Sequence, residues 1–190
     1  MFCYLFFSCK DNTELTEQEK EKIITIGDSS ATVLLKALVS SLKGALSSGG
    51  VVEGIEFCSK NAQTLTQSIE QGLPDGISIK RTTLKFRNEK NKPDKYEKEA
   101  LQYYLKNWEK GAENIQPFIQ FVKKEAEYRY YKPLGIKKVC LNCHGNQQQI
   151  NAEVRMRLKK YYANDLATGY KLGDFRGLVR VSISEKLLKK

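Results

Sequence analysis

One histidine in 190 residues is the first constraint. Chemistry that needs two imidazoles from this chain is excluded: a two-histidine metalloprotease site, a two-histidine finger, or an iron held between two imidazoles. Long apolar runs are lacking too. The opening stretch Met1–Cys9 has about seven apolar residues, where a bilayer span needs roughly 20. Internal repeats and low-complexity tracts are absent. No nucleophile–base pair or carboxylate dyad stands out, so turnover of a substrate is not expected. What remains is 41% apolar and 28% charged, a soluble chain able to bury one core. A polytopic membrane protein, a collagen-like fibre and a largely disordered tail are ruled out.

The charge balance is 32 Lys+Arg against 22 Asp+Glu, a net +10. Acidic residues are interspersed with basic ones throughout, and no nucleic-acid motif accompanies them. The partner implied is an acidic redox protein or an anionic membrane surface, not nucleic acid.

The five cysteines are Cys3, Cys9, Cys58, Cys140 and Cys143. An odd, uneven set is not a disulfide framework. Residues 1–9 read as the end of a truncated secretory signal, with the true start upstream, or as a frayed apolar terminus. Ser8-Cys9 is similar to a lipoprotein cleavage site, which makes Cys9 a candidate lipid anchor. Phe6 in place of leucine and the lack of a basic leader depart from that pattern. Residues 10–22 are charged and polar, a solvated tether or the polar first turns of a helix.

From residue 23 onwards the chain reads as one domain. Leu34, Leu38, Leu42 and Leu46 recur at helical spacing until Ser47-Ser48-Gly49-Gly50 breaks the helix. Val51, Ile55, Cys58 and Ala62 then share one helical face, which places Cys58 on a buried side. After the Gly72–Gly76 turn the period changes to two, with Ile77 and Ile79 in one phase and Leu84 and Phe86 in the other, bending near Thr82. A helix over Glu97–Lys110 carries Leu101, Tyr104, Leu105 and Trp108 on one face, with Gly111 as its cap. Tyr128 and Tyr130 predict a strand ending at Pro133, and Val179, Val181 and Ile183 predict a last strand. Helices first, then separated strands, imply an α+β fold with an antiparallel sheet.

Cys140-Leu141-Asn142-Cys143-His144 is the c-type haem attachment pattern. Two thiols separated by two residues reach the two vinyl groups of one porphyrin. The next residue is then held against the macrocycle, where its imidazole can bond iron. A Cys-x-x-Cys pair alone also fits zinc or thiol redox chemistry. Here the chain's single histidine falls at the required position. A zinc site would need Cys58, Cys140, Cys143 and His144 on one small ion, with adjacent Cys143 and His144 straining the backbone. One covalently attached haem c is the cofactor predicted, with His144 on the iron.

The other face of the iron has Met156, Cys58, a lysine or a tyrosine as candidates. Met156 sits between Arg155 and Arg157, opposite the apolar face Ile150, Val154, Leu158 and Tyr161, and is expected to be exposed. Cys58 is better placed, although a buried free thiol is common. Arg81 and Arg87 are candidate clamps for haem propionates, since guanidinium groups pair with carboxylates bidentately. Arg176 and Lys85 are further cations of the same stretches.

Several segments resemble the bacterial haem c domain with a PAS-like fold, found alone or as the sensory part of signalling proteins. They are Ile55-Glu56-Phe57-Cys58-Ser59, residues 79–88 continuing to Asn91–Asp94 and Glu97, Tyr131-Lys132-Pro133-Leu134 leading into Cys140–Gly145, and Asp165–Gly177. Glu89 and Tyr96 depart from the family's usual proline and tryptophan. The resemblance implies a PAS-like haem c-binding domain over residues 23–190, with long N-terminal helices. It further implies His144 as proximal ligand and Cys58 as distal ligand. A thiolate favours ferric iron, and its detachment on reduction would open a site for a diatomic gas. The function implied is a redox or gas sensor that signals through a separate partner protein. Alternatives are a small electron-transfer cytochrome c, or a non-haem Cys-x-x-Cys zinc or thiol-redox module. Attachment of c-type haem takes place outside the bacterial inner membrane. The location expected is therefore periplasmic or membrane-anchored as a lipoprotein.

Overall fold

Thr16 starts the first helix. Its hydroxyl accepts from the Glu19 N–H at 3.2 Å, and the Glu19 carboxylate accepts from the Thr16 N–H at 2.8 Å, a reciprocal capping box. In the computed structural model, which describes residues 15–189, helix α1 therefore runs Glu17–Glu56. It begins inside the stretch read as tether or polar first turns, and Glu17–Lys22 are those polar turns. Cys3 and Cys9, with the signal-like and anchor readings, lie outside the described residues.

Ile23, Ala31 and Leu34 of α1 are fully buried against Ile79, Tyr130, Val179, Val181 and Ile183. Gly27 permits this approach, because a Cβ there would stand 2.3 Å from Tyr130 Cγ. The predicted break is present. Gly49 and Gly50 leave helical geometry, Gly50 at φ +65°, and the chain folds back so that Gly54 packs on Leu42 and Leu46. A π-turn over Phe57–Asn61, closed by the Ala62 N–H onto the Phe57 carbonyl, leads into α2 (Ala62–Gln71).

Four antiparallel strands follow: β1 (Ile77–Thr82), β2 (Ile119–Val122), β3 (Glu127–Gly135) and β4 (Phe175–Ser184), in the order β1-β4-β3-β2. Together with the long N-terminal helix they make the α+β architecture that the element order predicted. Strand β3 runs past Pro133, where the sequence reading stopped it. Pairing with β2 ends at Tyr130, so Pro133 lies where only β4 remains as a neighbour and one missing N–H is tolerated. The four residues of β2 are too short to show a period.

Helix α3 (Lys95–Asn107) covers the other sheet face through Ala100, Leu101 and Tyr104, which meet Tyr131 and Leu178. Leu105, expected on that face, is 52% exposed, and Glu97 takes an inner position instead with no exposure at all. Between β3 and β4 the chain makes a long excursion over residues 136–174, which carries α4 (Leu141–His144) and α5 (Ala152–Tyr161). Two backbone bonds pinch its neck: the Ile136 N–H to the Asp174 carbonyl, and the Gly173 N–H to the Ile136 carbonyl, both 2.9 Å.

Candidate haem site

Helix α4 is a single turn whose first residue follows Cys140 and whose last is His144. The His144 side chain is half-buried, and its Nδ1 lies 2.7 Å from the Ala167 carbonyl oxygen. A carbonyl only accepts, so Nδ1 carries the proton and Nε2 keeps its lone pair. Burial, with the nearby cations Arg87 and Arg176, pushes the His144 pKa down to about 3. The imidazole is neutral at physiological pH. A neutral ring oriented by a carbonyl on its far nitrogen is the form that binds a metal.

Ala167 is itself fixed. Its N–H donates to Asp165 Oδ1 at 2.8 Å, and Arg87 Nε donates to both Asp165 oxygens at 3.1 and 3.0 Å. Arg87 Nη2 donates to the Cys143 carbonyl at 2.6 Å and to the Ala167 carbonyl at 3.3 Å. The Tyr170 N–H reaches the His144 carbonyl at 3.0 Å, and the Gly169 N–H reaches the Gly145 carbonyl at 2.8 Å. One guanidinium thus fastens the motif helix to residues 165–170. The sequence reading placed Arg87 beside a propionate; the structure gives its Nε and Nη2 internal acceptors. Asp165 and Ala167 had no role assigned. Their signal was there only as part of Asp165–Gly177, and the chemistry depends on a contact across 78 residues between Arg87 and Asp165.

Cys58, Cys143, His144, Arg87 and Tyr162 line one internal cavity of 60 Å³, closed by Leu42 and Leu46 on the α1 side. Cys58 sits in the π-turn, half-buried, and not on a regular α-helical face as the spacing predicted. Burial raises its pKa, opposed by Arg81 and then Arg87. Cys143 is pushed up to about 11, again by burial first. Cys140 is turned elsewhere, packing with Ile136, Ala167 and Tyr170 and receiving the Lys137 N–H at 3.4 Å from its sulfur. The described cysteines are all free thiols. Among the described residues no group of three or more His, Cys, Asp and Glu is gathered for a metal ion, so the four-ligand zinc arrangement is not assembled. Met156 is 67% exposed on α5, away from the cavity, as its flanking arginines predicted.

Arg81 is half-buried near Cys58, with its Nε out of solvent. One Nη donates to the Ala62 carbonyl at 3.3 Å, while its Nε has no partner. Burial depresses the pKa of Arg81 and of Arg176, each further disfavoured by a neighbouring guanidinium. Arg176 Nη1 donates to Thr83 Oγ1 at 2.9 Å and lies over the Tyr170 ring at 5.3 Å. Three guanidiniums surround the motif, and Asp165 is the one carboxylate paired with any of them among the described residues.

The donor set suits a haem. A neutral imidazole, the Cys58 thiol and a second thiol, Cys143 of the motif, line one cavity together with the Arg87 guanidinium. The cavity is smaller than a macrocycle, so a bound ring would need Leu42 and Leu46 to move aside and Cys140 to turn towards it.

The model of the Tll0287-like family matches residues 10–184. Among solved structures, the crystal structure of the cyanobacterial haem-protein Tll0287 is similar, with a TM-score of 0.58 and 22% identity, covering 90% of this chain and 98% of that one. No curated protein matches the chain.

Proposed function

The chain belongs to the Tll0287-like family, and from that premise we propose that it carries one haem c. In this reading Cys140 and Cys143 form the thioethers, His144 and Cys58 are the axial ligands, and the sheet and helices form a PAS-like domain. The observation that carries it is the His144 ring, locked by the Ala167 carbonyl with Nε2 free, in the same cavity wall as Cys58.

Bound haem would supply a one-electron ferric–ferrous couple. The protein's own residues set its surroundings. Ala167 and Arg87 hold the His144 plane. Arg81 favours the anionic form of Cys58, against the burial that opposes it. Arg81 and Arg176 offer half-buried donors to the propionates, and Arg87 serves as the brace behind them.

The role proposed is redox or diatomic-gas sensing in the bacterial cell envelope, through a separate partner and without substrate turnover. Cys58 would act as the ligand that leaves on reduction. The location is periplasmic or lipid-anchored at Cys9, as the export demanded by haem c attachment requires. Electron transfer is the second reading, favoured by the cation-rich outer side of α5.

The experiment is an acidified organic extraction followed by a pyridine haemochrome spectrum. Haem retained on the chain is expected. Haem lost to the solvent refutes covalent attachment, and no haem at all refutes the cofactor. In the same preparation Cys58→Ser should alter the ferric absorption spectrum; an unchanged spectrum removes Cys58 as ligand. CO bound by the reduced protein favours sensing over electron transfer.

A further inference from the structure

Helix α5 has two chemically opposed sides. Val154 and Leu158 face inward, packing with Ile55 and Cys143 beside the cavity. Arg155, Met156, Lys159 and Lys160 face outward, all exposed. Arg155 is held in place by the carbonyls of Gln147, at 3.2 Å, and Ile150. Among the described residues no carboxylate pairs with Arg155 or Lys159.

A groove of 510 Å³ runs along this side, with Arg155, Met156 and Lys159 on its rim and Leu158 and Tyr162 in its wall. Leu158 and Tyr162 also line the internal cavity with His144 and Cys58. One layer of side chains therefore separates the groove from the cavity. The carboxylate in the groove wall, Asp165, is already paired with Arg87.

We propose that this groove is the docking surface for an acidic one-electron redox protein. The inference rests on the haem reading above and extends it by naming the partner's chemistry and its place of contact. A pre-positioned arginine and an exposed methionine match protein interfaces, which are enriched in Met and Arg, and a lysine one turn away adds to the positive charge. Methionine adapts its shape to a partner's surface. The unpaired cations complement an acidic patch and steer its approach. A concave site backed by the cavity wall favours a protruding protein surface over a flat lipid one. In the encounter the partner is oxidised by one electron and ferric haem is reduced by one; the electron transfer itself makes and breaks no bond, and release of Cys58, with a proton taken up by its thiolate, follows it.

The test uses the holoprotein with an acidic plant-type ferredoxin as donor, its potential near −400 mV being low enough to drive reduction. The second-order rate should fall steeply as ionic strength is raised tenfold. Arg155→Glu combined with Lys159→Glu should lower the low-salt rate by at least about tenfold. Lys106→Glu, a charge reversal on α3, should leave it within about twofold, and reduction by photoreduced riboflavin, a neutral donor, should be equal in all three proteins. A double-variant rate equal to wild type overturns the proposal. So does a double variant that keeps its rate but loses binding to phosphatidylglycerol vesicles, which would make the face a membrane contact. Wild type lacking a haem absorption band overturns this proposal and the haem reading together. A normal band with an insensitive rate overturns this proposal alone.

Discussion

Two groups of charges, one beside α3 and one beside the Cys140–His144 motif, differ in their balance. Under α3, Lys80, Arg129 and Arg180 meet Asp94, Glu97, Glu125 and Glu127. Arg129 contacts three carboxylates at 2.6 to 3.1 Å, and Glu97 receives Lys80 at 2.7 Å, Thr82 at 3.1 Å and Arg180 at 3.3 Å. Even there one atom, Arg180 Nε, lacks a partner. Around the motif, by contrast, only Arg87 of the three guanidiniums has a carboxylate partner among the described residues, Asp165, while Arg81 and Arg176 donate to carbonyls and a hydroxyl. Four acids for three bases make a closed brace, whereas one acid for three bases leaves room for anions from outside. Burial of an uncompensated guanidinium costs free energy that the fold alone does not return. Under the proposed function, two propionates and a thiolate would answer this imbalance.

The sharpest way to break the comparison is to open the closed brace. Glu97→Ala strands Lys80 and Arg180 and should cost about 3–5 kcal/mol. Urea unfolding measures it, and the haem spectrum of the surviving folded protein should be normal.

Acid should act next, and at milder pH on the open group than on Asp94, whose depressed pKa makes it respond only below the usual carboxylate range. His144 has a folded-state pKa of about 3 against 6.5 when exposed. Between those values the unfolded chain binds the extra proton, so stability falls as pH drops from 6.5 towards 3. Haem-free protein should show that slope in thermal melts at successive pH values. His144→Phe should flatten it, and haem loading should diminish it because the ring nitrogen is occupied.

Arg87→Gln removes the clamp on Asp165 and on two carbonyls, for about 1–3 kcal/mol. It should also lower the haem's reduction potential in a spectroelectrochemical titration, because a buried positive charge near the iron is lost. Arg87→Lys should recover part of that shift, and a potential unmoved in both would break the link to His144.

Arg81→Met should have the smallest effect on stability and the opposite sign in the two states. Haem-free protein should be unchanged or slightly more stable, since a half-buried guanidinium with an orphaned Nε is gone. Haem-loaded protein should lose ground. If Arg81→Met destabilises both states equally, the two charge groups are alike after all.

The two halves of the site differed in how far the sequence disclosed them. Cys140, Cys143 and His144 lie within five residues, and their chemistry is written in their spacing. The helix of α1, its break at Gly49–Gly50 and the last strand follow from periodicity, which is equally local. Cys58 follows from helical steps, but the π-turn that holds it does not, since the step of four from Cys58 to Ala62 reads like an ordinary helix. The brace formed by Arg87, Asp165 and Ala167 was out of reach because it joins segments that meet only after folding. Leu105 was misplaced for a related reason: Glu97, satisfied by Lys80, Thr82 and Arg180, took an inward position that polarity alone would deny it.

The π-turn at Phe57–Asn61 has a consequence in genetic terms. Such a turn equals an ordinary helix with one residue inserted, so loss of a single codon could erase it. Each residue removed turns whatever follows by about 100° about the helix axis. A helix without the insertion would carry the same cysteine-bearing sequence into α2 at another angle. The position of the Cys58 thiol relative to His144 is thus a heritable setting with a step of one codon, open to comparison among natural relatives by length alone.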